Sequence, residues 1–411
     1  MKILLSAYAC EPYKGSEPYV GWNWVNSLSK QGHEVWVITR KNNRQIINDF
    51  LSKNSLAGVK FIYYDLPKVF LYIKNGNRGV HLYYLLWQIG IYFVCKQLCK
   101  KIKFSLIHHV TFVTARQPSF LGLLGIPFIL GPIAGGERSH FKLLESFLII
   151  DKLFEYLRLF SNYLIKYNPL MHLTFNSASK IIVTSIQTKN VIPKVYHPKI
   201  IENLAVGIDK NEIKSNFTMR GGEQNNKFRI MYAGRILHWK GLHIVLNTYA
   251  HLLKSSDKFE LSIIGSGSRE KWVKTVANKL NVYDNIKWVK EIDRNELNNY
   301  YAKSDAFLFP SLHDSGGMVI LEALSFGLPV ICLDIGGPSK IINEECGFII
   351  DTSGKNVYDI SVQISKKLLF MSKNRNFCKQ LSKNAKKRIL DFEWLNVTKN
   401  IYKKVLIEDQ K

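Results

Sequence analysis

The feature that most constrains the fold is an alternation of short apolar runs with helical stretches, which occurs twice along 411 residues. Strands that alternate with helices are typical of parallel, doubly wound sheets. In the first half, the predicted strands are residues 2–8, 33–39, 59–64, 106–109, 127–130 and 180–184. A helix is predicted over residues 20–31, and it ends at Gly32, a common helix stop.

The alternation lapses between about residues 199 and 227, where a polar, glycine-containing stretch predicts a linker. It then resumes, with predicted strands at 228–232, 259–264, 286–289, 306–309, 330–332 and 347–350. Two such series predict an α/β chain of two Rossmann-like, doubly wound domains facing a cleft. We expect domains at 1–205 and 206–392, with a C-terminal helix at about 393–411 packing back on the first.

Ligands of such sheets bind beyond the carboxyl ends of the strands. The first strand of the second half is followed by Gly234 and Arg235, and the same loop ends at Lys240 and Gly241. The planar guanidinium of arginine can donate two parallel hydrogen bonds to phosphate oxygens, and the lysine ammonium supplies a mobile point charge. This loop is therefore predicted to neutralise a diphosphate.

A second loop follows the predicted strand 306–309 and leads into a helix. It contains Asp314, Gly316 and Gly317, and the helix begins near Met318. The free amides of a helix N-terminus form an anion site. On the second turn, Glu322 lies among apolar residues, where an unpaired carboxylate is costly. We therefore expect it to face a ligand, the alternative being an exposed helix glutamate.

Together, these segments resemble the retaining glycosyltransferases of family 4, known as group 1, which have the GT-B fold. The G-R-x(n)-K-G loop of that family matches 234–241, and its E-x7-E element matches Asp314 to Glu322. The resemblance implies that Arg235 and Lys240 hold the donor diphosphate. It implies that Glu322 binds ribose hydroxyls and that Asp314 contacts the transferred sugar.

Further donor contacts follow from the same resemblance. Backbone amides near Gly317 and Met318 are expected to meet the diphosphate or the sugar, and Gly265 is expected to support the nucleotide through its backbone. Two departures from the family pattern leave the donor sugar open. Asp314 is one methylene shorter than the usual glutamate, and Gly316 replaces a common aromatic residue.

In the first half, Gly15 and Ser16 lie in a loop that resembles the one closing over donor and acceptor in this family. A simple turn is the alternative. The family often presents a histidine to the transferred hexose at the end of strand 106–109. His108 and His109 both stand there, and we favour His109, although a structural histidine is equally compatible.

The glycine-rich segment after strand 127–130 contains Gly135, Gly136 and Glu137. Its glycines allow close backbone approach. We therefore expect these residues near the acceptor.

The resemblance implies transfer of a hexosyl group from a UDP- or GDP-linked sugar to a hydroxyl, with retained anomeric configuration. The residues predicted to be catalytic are His109, Asp314, Arg235 and Lys240, with no metal and no cofactor. The expected acceptor is a glycan or lipid-linked glycan of a bacterial surface polysaccharide, lipopolysaccharide or capsule. The alternatives are another GT-B enzyme, such as a nucleotide-sugar epimerase or a phosphorylase, and a non-catalytic sugar-nucleotide-binding protein.

The chain carries a formal net charge of +25, and its first 200 residues hold 25 basic and 9 acidic residues. Such an excess attracts polyanions. No zinc finger, RNP motif or helix-turn-helix signature favours nucleic acid, although a charge-driven nucleic-acid binder stays an alternative. We therefore predict an anionic membrane surface as partner; a basic composition without a partner is the other interpretation.

Two aromatic-rich stretches are relevant to whether the chain contacts a membrane. Residues 80–95 predict a buried helix, and residues 141–167 predict a helix that packs on a core or lies on a membrane. The six cysteines are scattered, which indicates reduced thiols. We expect a cytoplasmic protein, peripheral on the inner face of the cytoplasmic membrane.

Overall fold

The computed structural model describes residues 1–73, 79–213 and 227–408, which divide into two compact units. The first contains Met1–Gly136, Arg158–Gly207 and Trp394–Lys411, and the second contains Glu137–Leu157 and Ile208–Glu393. The predicted first domain, 1–205, included residues 137–157. The structure places that segment in the second unit, because its side chains bond to residues of that unit.

The first unit is built on a parallel sheet. Its strands are β1 (Lys2–Ala7), β2 (Glu34–Arg40), β3 (Val59–Tyr64), β4 (Leu106–Thr111), β5 (Phe128–Ile133), β6 (Lys180–Val183) and β7 (Ile200–Glu202). Their order is β3-β2-β1-β4-β5-β6-β7, and each neighbouring pair is parallel. The order reverses between β1 and β4, as in Rossmann folds.

The helices up to residue 207 connect these strands. They are α1 (Glu17–Lys30), α2 (Arg44–Leu51), α3 (Val80–Lys101), α4 (Phe141–Leu144), α5 (Ile149–Leu164), α6 (Pro169–Ser177) and α7 (Ile186–Val191). The helix predicted over 141–167 is thus interrupted after Leu144. A 3₁₀ turn, Ile165–Tyr167, follows α5.

Apolar side chains cover both faces of the first sheet. Leu4 belongs to one buried cluster, which includes Trp87 of α3. Its neighbours Ile3 and Leu5 belong to another, which includes Trp24 of α1. Successive residues of a strand point to opposite faces, so this division shows that helices cover the sheet on both sides.

The second unit repeats the arrangement. Its strands are β8 (Phe228–Ala233), β9 (Phe259–Ile264), β10 (Ile286–Val289), β11 (Ala306–Phe309), β12 (Val330–Leu333) and β13 (Gly347–Ile350). Their order is β10-β9-β8-β11-β12-β13, again parallel, with the reversal between β8 and β11. Its further helices are α8 (Leu242–Ser255), α9 (Glu270–Lys279), α10 (Arg294–Lys303), α11 (Met318–Ser325), α12 (Pro338–Ile341), α13 (Val357–Lys373) and α14 (Arg375–Arg388).

The last helix, α15 (Trp394–Glu408), belongs to the first unit. Ile401 is fully buried in the cluster that contains Trp24. The hydroxyl of Thr398 lies 2.7 Å from that of Ser27 and accepts a 2.8 Å hydrogen bond from the Gln31 amide. The C-terminal helix therefore packs on α1 through both apolar and polar contacts.

The predicted α/β class with two Rossmann-like units is confirmed. The predicted strands differ from the observed ones by a few residues at their ends, and β7 was missed because it lies at the start of the polar linker. The helix predicted over 20–31 begins earlier, at Glu17. Within residues 1–73, 79–213 and 227–408, every helix is too short or too polar to cross a bilayer.

Replacing Ile401 by Ala tests the packing of α15. We expect the free energy of unfolding of the first unit to fall by about 2–5 kcal/mol, because the substitution leaves a cavity in a closed core. Urea denaturation measures this change. The exposed Lys399→Ala variant on the same helix is the control, with an expected change below about 0.5 kcal/mol; equal effects of the two variants would contradict the packing.

Candidate functional site

The candidate site of the second unit lies where its strand order reverses. One loop follows β8 and contains Gly234, Arg235 and the 3₁₀ turn His238–Lys240; the other follows β11 and contains Asp314. Because β8 and β11 are parallel neighbours, both loops leave the same edge of the sheet. Ligands of doubly wound sheets bind at such reversal points.

The two loops are joined by an ion pair. The ammonium of Lys240 donates a short hydrogen bond to a carboxylate oxygen of Asp314, and both side chains are only 17% exposed. The same ammonium lies 5.2 Å from the ring centroid of Phe309, the last residue of β11. Lys240 and Asp314, predicted from separate motifs, therefore lie together.

Backbone contacts reinforce this connection. The Leu312 amide donates a 2.8 Å hydrogen bond to the carbonyl oxygen of Trp239. Gly241 has a left-handed backbone with φ of 74°, and a Cβ built there would lie 1.9 Å from the carbonyl oxygen of Pro310. Only glycine accommodates this contact, so the K-G step of the motif has a packing reason.

Helix α11 presents its N-terminus beside this ion pair. Gly317, at the N-cap, has φ of 96° and supplies no capping side chain. Within the described ranges, no acceptor is found for the amides of Met318 and Val319, which open the helix. The carbonyl oxygen of Asp314 is already occupied, since it accepts 2.8 Å from the Gly337 amide. Free amides at a helix start attract anions.

Glu322 is paired within the protein, contrary to the expectation from its sequence. Its carboxylate is not unpaired, because one oxygen accepts 2.6 Å from the Arg294 guanidinium and the other 3.0 Å from the Tyr301 hydroxyl. Burial and the adjacent carboxylate raise the pKa of Tyr301 well above its usual value. The described contacts do not join Glu322 to Lys240 or Asp314, and its ligand-binding role stays a prediction.

The remaining predicted residues of this unit lie beside the same loops. Arg235 is exposed, and its guanidinium has no ion pair or hydrogen bond to the part of the chain that the structure describes. Gly265 directly follows β9 and lies next to Gly234, so a Cβ built at Gly265 would lie 2.1 Å from the Gly234 carbonyl oxygen. Gly316 is buried in the loop before α11.

A buried network of acids and histidines holds both loops, and sequence reasoning missed it. Glu155 of α5 accepts hydrogen bonds of 3.1 Å from His238 and 2.9 Å from His313. Asp151, one turn earlier, lies 3.3 Å from the other ring nitrogen of His238. Both carboxylates are at most 4% exposed. One helix therefore contacts the loop after β8 and the loop after β11.

A cation and aromatic rings complete this network. The Arg269 guanidinium binds Asp151 through its Nε, at 2.8 and 2.9 Å, and also through one terminal nitrogen. Phe147 packs edge-on against His238, with ring centroids 5.2 Å apart. Among the described residues, no group of three or more His, Cys, Asp or Glu side chains is arranged to hold a metal ion.

One signal in the sequence could have suggested this network. Asp151 and Glu155 are four residues apart and are the only acids of helix α5, so they share one helical face. Each histidine stands beside a predicted site residue, within the same loop. The pairing itself could not be read, because Glu155 and His313 are 158 positions apart.

In the first unit, the structure distinguishes the two adjacent histidines of β4. His108 uses both ring nitrogens, at 3.0 Å from the Tyr402 hydroxyl and 2.7 Å from the Gly131 carbonyl oxygen. His109 uses one, 3.0 Å from the Tyr84 hydroxyl, and its buried Nδ1 has no partner among the described residues. His108 is therefore structural, while His109 keeps one nitrogen available.

Burial, together with the neighbouring His108, lowers the pKa of His109 to about 3. Burial likewise lowers the pKa of His108 to about 4. Both rings are therefore neutral near pH 7. A neutral ring of His109 can accept or donate one hydrogen bond at its free nitrogen.

Gly15 and Ser16 lie in the exposed loop before α1. Ser16 occupies the N-cap position with φ of 65°, and its hydroxyl does not cap the helix. A positive φ is uncommon for serine. This unfavourable backbone geometry accompanies the predicted ligand loop, whose role stays a prediction.

The glycines predicted near the acceptor have contacts within the first unit. A Cβ built at Gly136 would lie 2.5 Å from Cα of Thr188, so close packing on α7 already requires this glycine. The Gly135 carbonyl oxygen accepts 2.8 Å from the Asn162 amide. Glu137, which lies in the second unit, is 3% exposed. Their acceptor role stays a prediction.

Replacing Glu155 by Ala removes an acceptor shared by two histidines. We expect the free energy of unfolding of the second unit to fall by about 3 kcal/mol, because hydrogen bonds to a buried charge are lost. Chemical denaturation measures the change. The control is Leu153→Ala, on the exposed face of the same helix. If it lost as much stability as Glu155→Ala, the loss could not be assigned to the hydrogen bonds of Glu155.

The pKa of His109 gives a pH prediction. When the pH falls below about 6.5, the pKa of a histidine in the unfolded chain, His109 becomes protonated in the unfolded chain but stays neutral in the folded chain. The free energy of unfolding therefore decreases as the pH falls. Between pH 7 and 5 we expect His109 alone to account for a loss of about 2 kcal/mol. In urea titrations at both pH values, His109→Gln should lose about 2 kcal/mol less than the wild type.

The control for this pH experiment replaces the exposed Asn400 with glutamine, which changes no titratable group. This variant should follow the wild-type pH dependence. A His109→Gln variant with an unchanged pH dependence would show that His109 protonates freely in the folded chain.

Comparison with known proteins gives the family of the second unit. The profile of the family described as glycosyl transferases group 1 matches residues 214–388. An uncharacterized glycosyltransferase of Methanocaldococcus jannaschii is 27% identical over 196 residues, which cover 47% of this chain and 49% of the relative. A glycogen synthase of Mycobacterium tuberculosis is 23% identical over 222 residues, or 54% and 52% of the two chains. The chain thus spans about half the length of the curated relatives it matches.

Solved structures match over nearly the whole chain. The lipopolysaccharide outer core galactosyltransferase WaaB has a TM-score of 0.65 at 13% identity, with 100% of both chains covered. HepE of Anabaena, in complex with UDP and glucose, has a TM-score of 0.59 at 14% identity, covering 98% of this chain and 99% of HepE. At such identities the likeness shows the fold, which is GT-B. With both loops of the second unit inside the matched region, residues 214–388 belong to the glycosyl transferases group 1 family.

Proposed function

We propose that the chain is a glycosyltransferase that moves a hexosyl group from a nucleoside-diphosphate sugar to a hydroxyl acceptor. The observation that carries this proposal is the Lys240–Asp314 pair beside the open N-terminus of α11. A cation and free amides attract the leaving diphosphate, while a carboxylate can accept hydrogen bonds from sugar hydroxyls. The family of the second unit supports the same reaction class.

The leaving group determines the chemistry in this proposal. As the glycosidic bond to the diphosphate breaks, negative charge grows on the phosphate oxygens and the sugar takes on oxocarbenium character. Lys240, Arg235 and the amides of Met318 and Val319 stabilise that charge. The exposed guanidinium of Arg235 is free to bind phosphate oxygens, since no described residue pairs with it.

Asp314 has two roles in the proposed reaction. Its contact holds the ammonium of Lys240 in place before the donor arrives, so little reorganisation is needed. One oxygen holds the ammonium, and the other is left for a hydroxyl of the transferred sugar. The backbone of Gly316 and Gly317 lines the approach to α11.

Glu322 is proposed to bind the ribose hydroxyls of the donor nucleotide. Arg294 and Tyr301 hold its carboxylate, which fixes the orientation of both oxygens. A carboxylate oxygen has more than one acceptor direction, so these contacts leave room for a ligand hydroxyl. Gly234 and Gly265 support the nucleotide through their backbones.

The first unit contributes His109, Gly15 and Ser16 in this proposal. A neutral His109 offers its free ring nitrogen to the transferred hexose, and burial keeps it from becoming a competing cation. Gly15 and Ser16 close over donor and acceptor. Gly135, Gly136 and Glu137 are proposed to lie near the acceptor.

We further propose that the anomeric configuration is retained and that protein cations take the place of a metal at the diphosphate. The donor is a UDP- or GDP-linked hexose; the similar HepE structure holds UDP and glucose. The acceptor is a glycan or lipid-linked glycan of a bacterial surface polysaccharide. The enzyme would then work in the cytoplasm, on the inner face of the membrane that carries the acceptor.

Replacing Lys240 by Ala tests this function. We expect the rate of transfer to fall roughly 100- to 1000-fold, because one preorganised charge at the leaving group is lost. UDP- and GDP-linked hexoses are first screened by thermal shift to find the donor that stabilises the chain. The rate is then measured as release of the nucleoside diphosphate from that donor.

The matched control is Lys279→Ala, which removes an exposed lysine at the end of α9. It should keep the wild-type rate, which excludes a general effect of lower net charge. Near-normal turnover in Lys240→Ala would remove the proposed role of the ion pair. Isomerisation of the donor without any acceptor would favour an epimerase instead.

A further inference from the structure

Helix α5 has an unusual distribution of polar and apolar side chains. Its buried face is polar, with Asp151, Glu155 and Asn162 at most 4% exposed. Its other side is apolar and exposed, and it includes Ile149, Leu153, Phe154, Leu157, Phe160 and Leu164. An ordinary surface helix buries its apolar stripe and exposes its polar one. We call these six residues the outer face of α5.

Hydrogen bonds fix the orientation of this helix. Asp151 and Glu155 are held by Arg269, His238 and His313 in the second unit. A rotation that hid the outer face would separate these groups and expose the network to water. Buried charges that lose their partners are strongly unfavourable, so the apolar side stays outward.

The outer face is large and continuous along the helix. Ile149 is 86% exposed, and Phe154 and Leu157 are each 54% exposed. At 100° per residue, all six side chains fall within less than half of the helix circumference. Contiguous exposed apolar surface of this kind marks an interaction site rather than ordinary solvent-exposed surface.

The charges that are not buried in the sequence segment containing this helix are mostly positive. Residues 138–173 contain Arg138, Lys142, Lys152, Arg158 and Lys166. Of the acids in that stretch, Asp151 and Glu155 are buried and paired, which leaves Glu145 as the exposed one. An apolar face flanked by basic residues is the pattern of helices that lie in the interface of an anionic bilayer.

We propose that the outer face of α5 docks the protein on an anionic membrane surface, with Leu153, Phe154 and Leu157 inserted at the boundary between headgroups and acyl chains. This inference extends the proposed function, which places the acceptor at a membrane. Vesicle binding needs neither donor nor acceptor, so it can be measured separately from activity.

Charge favours a membrane over a second copy of the chain on this face. Two chains of net charge +25 that met through the same basic segment would repel each other. Anionic headgroups instead attract each basic residue near the surface. The occupant that matches both the apolar face and its basic flanks is therefore an anionic bilayer.

The test uses the full chain and two kinds of vesicle, one of pure phosphatidylcholine and one of equal parts phosphatidylcholine and phosphatidylglycerol. We expect the wild type to sediment with the phosphatidylglycerol vesicles. The triple variant Leu153→Ser, Phe154→Ser, Leu157→Ser should bind them at least about tenfold more weakly, because its apolar insertion is lost while its charge is unchanged.

The matched control replaces three exposed apolar residues of α3, with the substitutions Leu82→Ser, Ile89→Ser and Phe93→Ser. It should keep vesicle binding within about twofold of the wild type, as expected when insertion is confined to α5. Circular dichroism establishes that both variants fold. The proposal would be overturned if the α5 variant bound the vesicles as well as the wild type, or if the wild type did not bind phosphatidylglycerol vesicles better than pure phosphatidylcholine vesicles.

Two further outcomes separate the alternatives. A wild-type dimer that the α5 variant converts to a monomer in sedimentation velocity would assign the outer face to a second copy and overturn the membrane assignment. Vesicle binding by a chain that transfers no sugar would leave the docking surface standing while the proposed function fails.

Discussion

The ion pair between Lys240 and Asp314 is the contact on which the candidate site depends. It connects two loops that leave neighbouring strands at the point where the strand order reverses. Without it, the Lys240 ammonium and the Asp314 carboxylate would be separate charges on two loops. With it, a cation, a carboxylate and free amides are held together before any ligand binds. Such preorganisation is what electrostatic stabilisation of a leaving group requires.

Helix α5 connects that site to the proposed membrane-docking surface. Its inner face binds His238, two residues before Lys240, and His313, one residue before Asp314. The contacts that fix the helix therefore also restrain both loops. Its outer face is apolar, while Asp151, Glu155 and Asn162 are buried on the opposite face. In the proposed account, one segment holds the loops of the donor site and docks on the membrane.

The sequence predicted those parts that depend on local pattern. Alternating apolar runs gave the strands of both sheets, because each strand is short, apolar and flanked by turn residues. Lys240 and Asp314 were found because they follow strands. The polarity of α5 was not predictable in the same way, since the amphipathic pattern indicates two faces but not which of them is buried. The pairing of Glu322 with Arg294 was missed because it joins separate helices.

A structure with a nucleoside diphosphate bound measures the central claim most directly, through the distances from the phosphate oxygens to the site. The account predicts that the Lys240 ammonium and the amides of Met318 and Val319 lie at about 3 Å from those oxygens, within hydrogen-bond range. Phosphates bound away from the N-terminus of α11, with the Lys240–Asp314 pair untouched, would contradict it.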